Sequence, residues 1–184
     1  MIFNFSFHKI MIRLRSPQEF ILFIACLMFV NVAISQKAKP VEKLEWHTDL
    51  MKAHDLSKKS KKPIFAFFTG SDWCGWCIKL QRNVFAKEEF IKWAHKNVIL
   101  LELDFPRNKQ LPPEQMQQNY SMQQAFNVTG YPIVWIFNTI KSDTTKMFGI
   151  DAFGSLGYPM GEPGKEEIKF IEDANKVLEH KFKK

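Results

Sequence analysis

Short runs of consecutive apolar residues alternate along the chain with longer segments in which apolar positions recur every three or four residues. The short runs are bounded by Gly, Pro or Asp, which is typical of strands buried on both faces. They predict strands at 64–69, 98–104 and 133–137, then a turn at 141–145 and a fourth strand at 146–150.

The segments with helical spacing predict helices between and around these strands. One contains Trp46, Leu50 and Ala53, with Thr48 or Asp49 as its cap. The other predicted helices follow in chain order at about 74–85, 88–95 and 113–126, and from 165 onward.

The last helix follows a glycine-rich loop predicted at 151–164. Its buried stripe is predicted to consist of Ile168, Ile171, Ala174, Leu178 and Phe182. Strands that alternate with helices pair in parallel, whereas two strands joined by a short turn form an antiparallel hairpin. The order therefore predicts an α/β fold, with a small mixed sheet covered by helices on both faces.

The N-terminal segment differs from the rest of the chain. Basic residues precede an apolar run of 15 residues at 20–34, which is shorter than the roughly 20 residues that a membrane-spanning helix needs. This pattern is typical of a secretory signal peptide, and Ala33 and Ser35 are small residues placed as a signal peptidase requires. We expect cleavage after Ser35, which divides the chain into a leader at 1–35 and a domain at 36–184.

An exported protein cleaved in this way is periplasmic or otherwise extracytoplasmic and has no stable membrane insertion. The alternative is an uncleaved membrane anchor. The net charge is +7, and its densest basic run, at 58–62, lies in a short link between a helix and a strand. Nucleic-acid binding instead requires basic residues interleaved with aromatics on one face, so we expect no nucleic-acid partner.

The cysteines indicate redox chemistry. Cys26 is lost with the leader, which leaves Cys74 and Cys77, three positions apart. An exported domain held together by disulfides has more cysteines at wider spacing. Structural zinc takes four ligands, and no second cysteine pair or suitably spaced histidine pair is present. We expect no metal and no other cofactor than a redox-active Cys74–Cys77 disulfide, with a metal site as the weaker alternative.

The position of the pair suggests a mechanism. It follows a predicted buried strand and opens a helix, whose first free N–H groups and positive dipole end stabilise a thiolate. The pKa of Cys74 is therefore expected to be lowered, which makes Cys74 the attacking nucleophile. Cys77, one turn further along the same side, is expected to resolve the mixed disulfide.

These features resemble the thioredoxin superfamily from about residue 41 to the end. Three motifs carry the resemblance: 72–77 (Asp-Trp-Cys-Gly-Trp-Cys) after a buried strand, 101–104 ending the next strand, and 130–132 (Gly-Tyr-Pro) before the third. The resemblance implies a thioredoxin-like fold with a cis peptide bond at Pro132. It also implies a substrate groove formed by Trp73, Gly75, Trp76, Tyr131 and Pro132.

More narrowly, the chain looks like secreted bacterial thioredoxin-like proteins related to the periplasmic reductase domains of transmembrane disulfide reductases. Phe68 stands six residues before Cys74, where thioredoxin carries a buried aspartate, and Leu100 stands where a lysine pairs with that aspartate. Replacing both partners of a buried ion pair is compatible with coherent packing. The proton acceptor for Cys77 is then open, with water, Asp72 and Glu102 as candidates.

The expected function is that of an exported thiol–disulfide oxidoreductase that reduces or isomerises protein disulfides. The Gly-Trp dipeptide between the cysteines carries no positive charge, which favours the reducing direction. Its expected partners are protein thiols and disulfides and an electron donor of the transmembrane disulfide reductase type. The alternatives are a dedicated cytochrome c maturation reductase and a redox-inactive, metal-binding module on the same fold.

Overall fold

A computed structural model of the chain describes residues 43–141 and 148–180. Within these residues, five strands form one mixed sheet in the order β1-β3-β2-β4-β5. The strands are β1 (Trp46–His47), β2 (Ile64–Thr69), β3 (Ile99–Asp104), β4 (Ile133–Lys141) and β5 (Phe148–Leu156). β1 and β2 both pair with β3 in parallel, whereas the β2–β4 and β4–β5 pairs are antiparallel. The predicted mixed sheet of an α/β fold is confirmed.

Helices flank the sheet and connect its strands. They are α1 (Leu50–Ser60), α2 (Gly75–Leu80), α3 (Glu88–Asn97), α4 (Pro113–Ala125) and α5 (Glu166–His180), and α2 continues into a π-helical turn at Gln81–Phe85. In the described residues, none of these helices is long and apolar enough to cross a membrane. The predicted signal peptide at 1–35 lies outside the described residues.

Alternation along β2 divides the buried side chains between the two faces of the sheet. Phe65 and Phe67 pack on one face, and Ile64, Ala66 and Phe68 pack on the other, because successive side chains of a strand point in opposite directions. We call the first face the thiol face, because its core also contains Cys74 and Cys77.

Different helices cover the two faces. Buried residues of α2, α3 and α5 belong to the thiol-face core, whereas Ala53 of α1 and Met122 of α4 belong to the opposite core. The predicted covering of the sheet on both faces is thereby confirmed.

The sequence prediction is wrong at Trp46, which belongs to a strand and not to a helix. Trp46 and His47 pair with Leu100 and Leu101 of β3, and the helix begins only after Asp49. The Asp49 carboxylate accepts the N–H of Met51 at 2.7 Å and that of Lys52 at 3.3 Å. Asp49 is thus the N-cap, and the apparent helical spacing of Trp46 is coincidental.

The predicted loop at 151–164 is also wrong in its first part, because β5 continues to Leu156. Its partner β4 is longer than predicted and extends to Lys141. The predicted turn at 141–145 falls largely outside the described residues. Gly154 lies under α5, where a Cβ would stand 3.2 Å from Val177 Cγ1. The glycine therefore permits a close contact between strand and helix, although in the sequence it looks like a loop residue.

The predicted stripe of α5 is confirmed at Ala174, which is buried, and at Ile171 and Leu178, which pack against the thiol-face core. It is wrong at Ile168, which is 54% exposed, and it omits the buried Phe170. Phe170, Ala174 and Val177 recur at the spacing of one helix face and face the thiol-face core. Phe182 lies outside the described residues.

Candidate active site

Cys74 and Cys77 lie where β2 passes into α2, and a disulfide joins them. Cys74 is the N-cap of α2, and its sulfur accepts the N–H of Cys77 at 3.2 Å. Its own N–H donates to the Gly70 carbonyl oxygen at 2.8 Å. Cys77 is fully buried, whereas Cys74 keeps 6% of its surface exposed. The geometry therefore offers Cys74, and not Cys77, to a reactant from solution.

Gly70 shapes the turn that precedes the cysteines. A Cβ at this position would lie 2.4 Å from the Trp73 ring. Only a glycine lets the indole fold back over the end of β2 at this distance. The turn thus places Trp73 against the protein rather than fully in solvent.

Trp73 is anchored on several sides. Its indole N–H donates to the Phe105 carbonyl oxygen at 2.7 Å, and its ring meets Tyr131 edge-on at 5.8 Å. The guanidinium carbon of Arg107 lies 3.9 Å from the ring centroid. Trp73 is therefore a half-buried wall beside the disulfide.

Trp76 stands apart from this group and is 56% exposed. Its ring packs edge-on against Tyr158 at 5.0 Å, and Lys79 Nζ lies 4.8 Å from its centroid. The sequence reasoning missed Tyr158 and Lys79, since neither belongs to a motif. Gly75 is exposed, and a Cβ there would meet nothing within 4 Å, so no described side chain covers the surface at Gly75.

Tyr131 and Pro132 follow α4 and precede β4, with a cis peptide bond between them. Tyr131 packs against the core that contains both cysteines, and its hydroxyl accepts the Gln123 side-chain N–H at 2.7 Å. Burial raises the pKa of the Tyr131 phenol, and the phenol of Tyr120 raises it further. Of the five residues predicted to line the groove, Trp73 and Tyr131 are in direct contact.

Two aspartates hold the surrounding loops. Asp104 is buried, and its carboxylate accepts the N–H of Ser71 at 2.8 Å, the hydroxyl of Ser71 at 2.7 Å and Nζ of Lys109 at 2.9 Å. Asp72 accepts the backbone N–H groups of Arg107 at 3.0 Å and Asn108 at 2.6 Å. The Arg107 N–H is the main cause that lowers the pKa of Asp72. Asp72, a candidate proton acceptor, is thus engaged in holding a loop.

The predicted equivalence of Phe68 and Leu100 to a facing ion pair is wrong. Phe68 belongs to the core opposite the thiols and pairs in register with Leu103, whereas Leu100 lies on the thiol face. Counting back from Cys74 gave the wrong face, because a shift of one residue along a strand reverses the face. The buried β2 residues on the thiol face are Phe65 and Phe67.

Glu102 is the candidate proton acceptor on this same face. It pairs in register with Phe67 and lines a cleft of about 410 Å³ together with Phe67 and Gln81. Burial is the main cause that raises the pKa of Glu102, and the charge of Asp104 adds to it. Gln81 follows Cys77 by four residues, about one helical turn. The cleft that Gln81 lines therefore lies on the same side of the helix as Cys77.

The described residues offer no cluster of three or more His, Cys, Asp or Glu side chains that could hold a metal ion. The group present at the end of β2 is a disulfide at a helix N-terminus, beside aromatic side chains.

Comparison with known proteins agrees with this geometry. A Thioredoxin-like family model matches residues 45–139. "Disulfide bond reductase DsbH" of Chlamydia pneumoniae is 34% identical over 125 residues, which are 67% of this chain and 74% of that protein. "Thioredoxin-related protein DsbJ" of the same organism is 25% identical over 141 residues, and the match spans 39% of its length.

Solved structures show the same likeness. A structure titled "DsbH Oxidoreductase" matches with a TM-score of 0.63 and 29% identity, over 79% of this chain and 92% of that one. A thioredoxin from Thermus thermophilus matches with a TM-score of 0.51 at 11% identity, over 74% of this chain and 88% of that one, and this supports the fold alone. The match of the family model over more than half of the chain, together with the DsbH relative, places this protein in the thioredoxin-like family.

Proposed function

We propose that the chain is an extracytoplasmic thiol–disulfide oxidoreductase that reduces protein disulfides through Cys74 and Cys77. The observation that carries the proposal is the cysteine pair at the N-terminus of α2, with Cys77 fully buried and Cys74 6% exposed. The disulfide reductase DsbH among its relatives supports the same chemistry.

The reaction balances as a two-electron exchange. In the reduced protein, the Cys74 thiolate attacks one sulfur of the substrate disulfide, forms a mixed disulfide and releases the other sulfur as a thiolate. The Cys77 thiol gives up its proton and attacks Cys74 Sγ. The second substrate sulfur then leaves, and the Cys74–Cys77 disulfide is restored. The substrate gains two electrons, and its two sulfurs gain one proton from Cys77 and one from water, because Cys74 reacts as a thiolate. A dithiol electron donor must reduce the pair before the next turnover.

The direction of the reaction follows from what surrounds Cys74. The helix N-terminus stabilises its thiolate, but the residues between the cysteines are Gly75 and Trp76, which carry no charge. An oxidising member of this chemistry owes its high potential to strong stabilisation of the reduced form. The moderate stabilisation expected here supports reduction.

The first experiment is insulin reduction with a dithiol donor, followed as turbidity. The parent should accelerate precipitation, whereas Cys74→Ser should be inactive because it lacks the nucleophile. A parent no faster than the donor alone would contradict the proposed function. The same protein given a scrambled disulfide substrate separates isomerisation from reduction.

The roles of the two cysteines are tested by trapping. Cys77→Ser should accumulate mixed disulfides through Cys74, since nothing resolves them, and Cys74→Ser should accumulate few. The reverse pattern would exchange the two roles. Mass spectrometry of the protein from an exporting host tests the expected start of the mature chain after Ser35.

A further inference from the structure

Each tryptophan beside the cysteine pair carries a cation on its ring. The Arg107 guanidinium lies 3.9 Å from the Trp73 ring centroid, and the Lys79 ammonium lies 4.8 Å from that of Trp76 and 5.2 Å from that of Tyr158. Cations hold these positions because the face of an aromatic ring is electron-rich. We call these five side chains the tryptophan–cation surface.

Neither cation has a carboxylate partner within 4.0 Å among the residues at 43–141 and 148–180, whereas Lys109 pairs with Asp104 at 2.9 Å. The nearby acids are engaged by other donors. Asp72 accepts two backbone N–H groups, and Glu166 accepts the Gly164 N–H at 2.8 Å and a bond from Tyr158. The charge of Lys79 contributes to the lowered pKa of Glu166, but neither Lys79 nor Arg107 forms an ion pair with a described carboxylate. Both cations can therefore still pair with a carboxylate of an incoming molecule.

Strand order places Arg107 and Tyr158, the latter an aromatic partner of Lys79, on opposite sides of the disulfide. Arg107 follows β3, Cys74 follows β2 and Tyr158 follows β5, and these three strands run in the same direction, so their ends meet at one edge of the sheet. In the order β3-β2-β4-β5, the outer two are three strand spacings apart, roughly 14 Å. An extended peptide of about four or five residues covers that distance.

We propose that the tryptophan–cation surface selects extended protein segments that carry an acidic residue on each side of the reacting cysteine. The inference rests on the proposed function and names its substrate class. Trp76, 56% exposed, and Trp73 offer apolar contact to the peptide backbone and side chains. Arg107 and Lys79 supply the charges that acidic residues about two positions before and after the cysteine would meet.

The test compares three disulfide peptides that differ only in the residues two positions from the cysteine, which are Glu, Gln or Lys. The quantity measured is the ratio of kcat/KM for the Glu peptide to that for the Lys peptide, with protein purified from cells expressing the full chain. An exposed charge pair changes such a ratio by about 1.5- to 5-fold. The parent should prefer the Glu peptide, and the preference should shrink as salt is raised.

Variants assign the preference to the two cations. Lys79→Gln and Arg107→Gln should each lower the ratio by about 1.5- to 5-fold, and the double variant should lower it by the product, since the two sites are well separated. Lys79→Arg and Arg107→Lys keep the charge and should keep the preference. Lys59→Gln is the matched control, because Lys59 is an exposed cation in the last turn of α1, at the opposite edge of the sheet.

The outcomes separate the two proposals. If neither the parent nor any variant reduces the Gln peptide, the proposed function fails. If all variants reduce the Gln peptide and the Glu-to-Lys ratio is near one, or is unchanged by both Gln variants, the function stands and the selection of acidic segments is overturned.

Discussion

At the scale of single residues, the choice between Phe67 and Phe68 decides which side chains lie behind the thiols. Leu100 pairs in register with Trp46, whose ring contacts Phe67 at 5.8 Å. Phe67 and Leu100 thus share a neighbour on the thiol face, whereas Phe68 packs against Phe105 and Phe126 on the other side. Residues that share partners couple in stability, and residues that do not share them are additive.

We therefore predict that the changes in the free energy of unfolding caused by Leu100→Ala and Phe67→Leu are not additive in the double variant. The changes caused by Leu100→Ala and Phe68→Leu should be additive. The coupling with Phe67 should be about 0.5–3 kcal/mol, and that with Phe68 should stay within about 0.5 kcal/mol. Leu keeps an apolar side chain, so each Phe→Leu variant should lose less than the roughly 3–5 kcal/mol of Phe→Ala and remain measurable, and Leu100→Ala should lose about 2–5 kcal/mol. Denaturant unfolding of the single and double variants gives both coupling energies. Coupling of Leu100 with Phe68 and not with Phe67 would show that Phe68 lies on the thiol face.

Glu102 gives the molecule a pH dependence of known sign. Burial, followed by the charge of Asp104, raises the pKa of Glu102 above its ordinary value of 4.5. Between that value and the raised one, the folded state binds more protons than the unfolded state, so stability falls as pH rises through this window. Glu102→Gln removes this loss. Its stability relative to the parent should therefore increase from pH 4 toward neutrality.

The measurement is urea unfolding of the parent and Glu102→Gln across that pH range. Glu172→Gln serves as the control, because Glu172 is an exposed glutamate of α5. A constant difference between the parent and Glu102→Gln would show that the pKa of Glu102 is the same in the folded and unfolded states. A changed pH profile of disulfide reduction in Glu102→Gln would in addition support its role as the proton acceptor for Cys77.

At the scale of elements, the loop after β3 is fastened to the active-site turn by Asp72. Its carboxylate accepts the N–H groups of Arg107 and Asn108, and the Trp73 indole donates to Phe105. We predict that Asp72→Ala accelerates amide hydrogen exchange at Arg107 and Asn108, because both N–H groups lose their acceptor. Exchange across β2 should not change, since that strand is bonded on both sides.

The control for this exchange experiment is Asp55→Ala, which removes an exposed aspartate from the middle of α1. In the parent, lowering the pH should also remove the contacts that the Asp72 carboxylate makes with the N–H groups of Arg107 and Asn108. Backbone N–H groups lower the pKa of Asp72 below its ordinary value of 3.8, so the contact is intact above that value and is lost as pH falls through the lowered one. Unchanged exchange at 107 and 108 in Asp72→Ala would show that the loop holds its position without this carboxylate.

The elements that the sequence predicts well are those whose pattern is set by burial alone. β2 and β3 lie inside the sheet and are apolar almost throughout, so their apolar runs predict both strands. β1 has two residues, too few to show a period. β5 contains Gly149 and Gly154, and Gly154 is required by the approach of Val177, a contact that local sequence does not encode.

The same distinction holds for the site. Cys74, Cys77, Trp73 and Trp76 are adjacent in sequence, and the motif identifies them together. Arg107, Lys79 and Tyr158 reach the site through the ends of β3, α2 and β5. Their proximity depends on strand order and on the exact end of each strand, which are the least reliable parts of a prediction from sequence.

At the scale of the whole molecule, the disulfide lies at one edge of the sheet. In the described residues, an extensive hydrophobic core covers each face of this sheet. The ring that it closes contains only residues 74–77. A ring this small restricts the unfolded chain by about 2 kcal/mol in the chain-entropy model. We therefore expect reduction to leave the fold in place. The stability difference between the two redox forms then measures the reduction potential of the pair relative to that of the unfolded chain.

This relation gives a prediction that tests the proposed direction of electron flow. The oxidised protein should be more stable than the reduced one, by less than about 2 kcal/mol, because the ring entropy is opposed by thiolate stabilisation at the helix N-terminus. In a thermodynamic cycle, greater stability of the oxidised form lowers the potential below that of an unfolded dithiol, by about 30 mV for each 1.4 kcal/mol. Urea unfolding with and without a reductant measures the difference, and a Cys74→Ser/Cys77→Ser protein, which should unfold identically in both conditions, controls for the reductant. If the reduced form proves the more stable, the pair is poised to oxidise its partners, and reduction is the wrong direction.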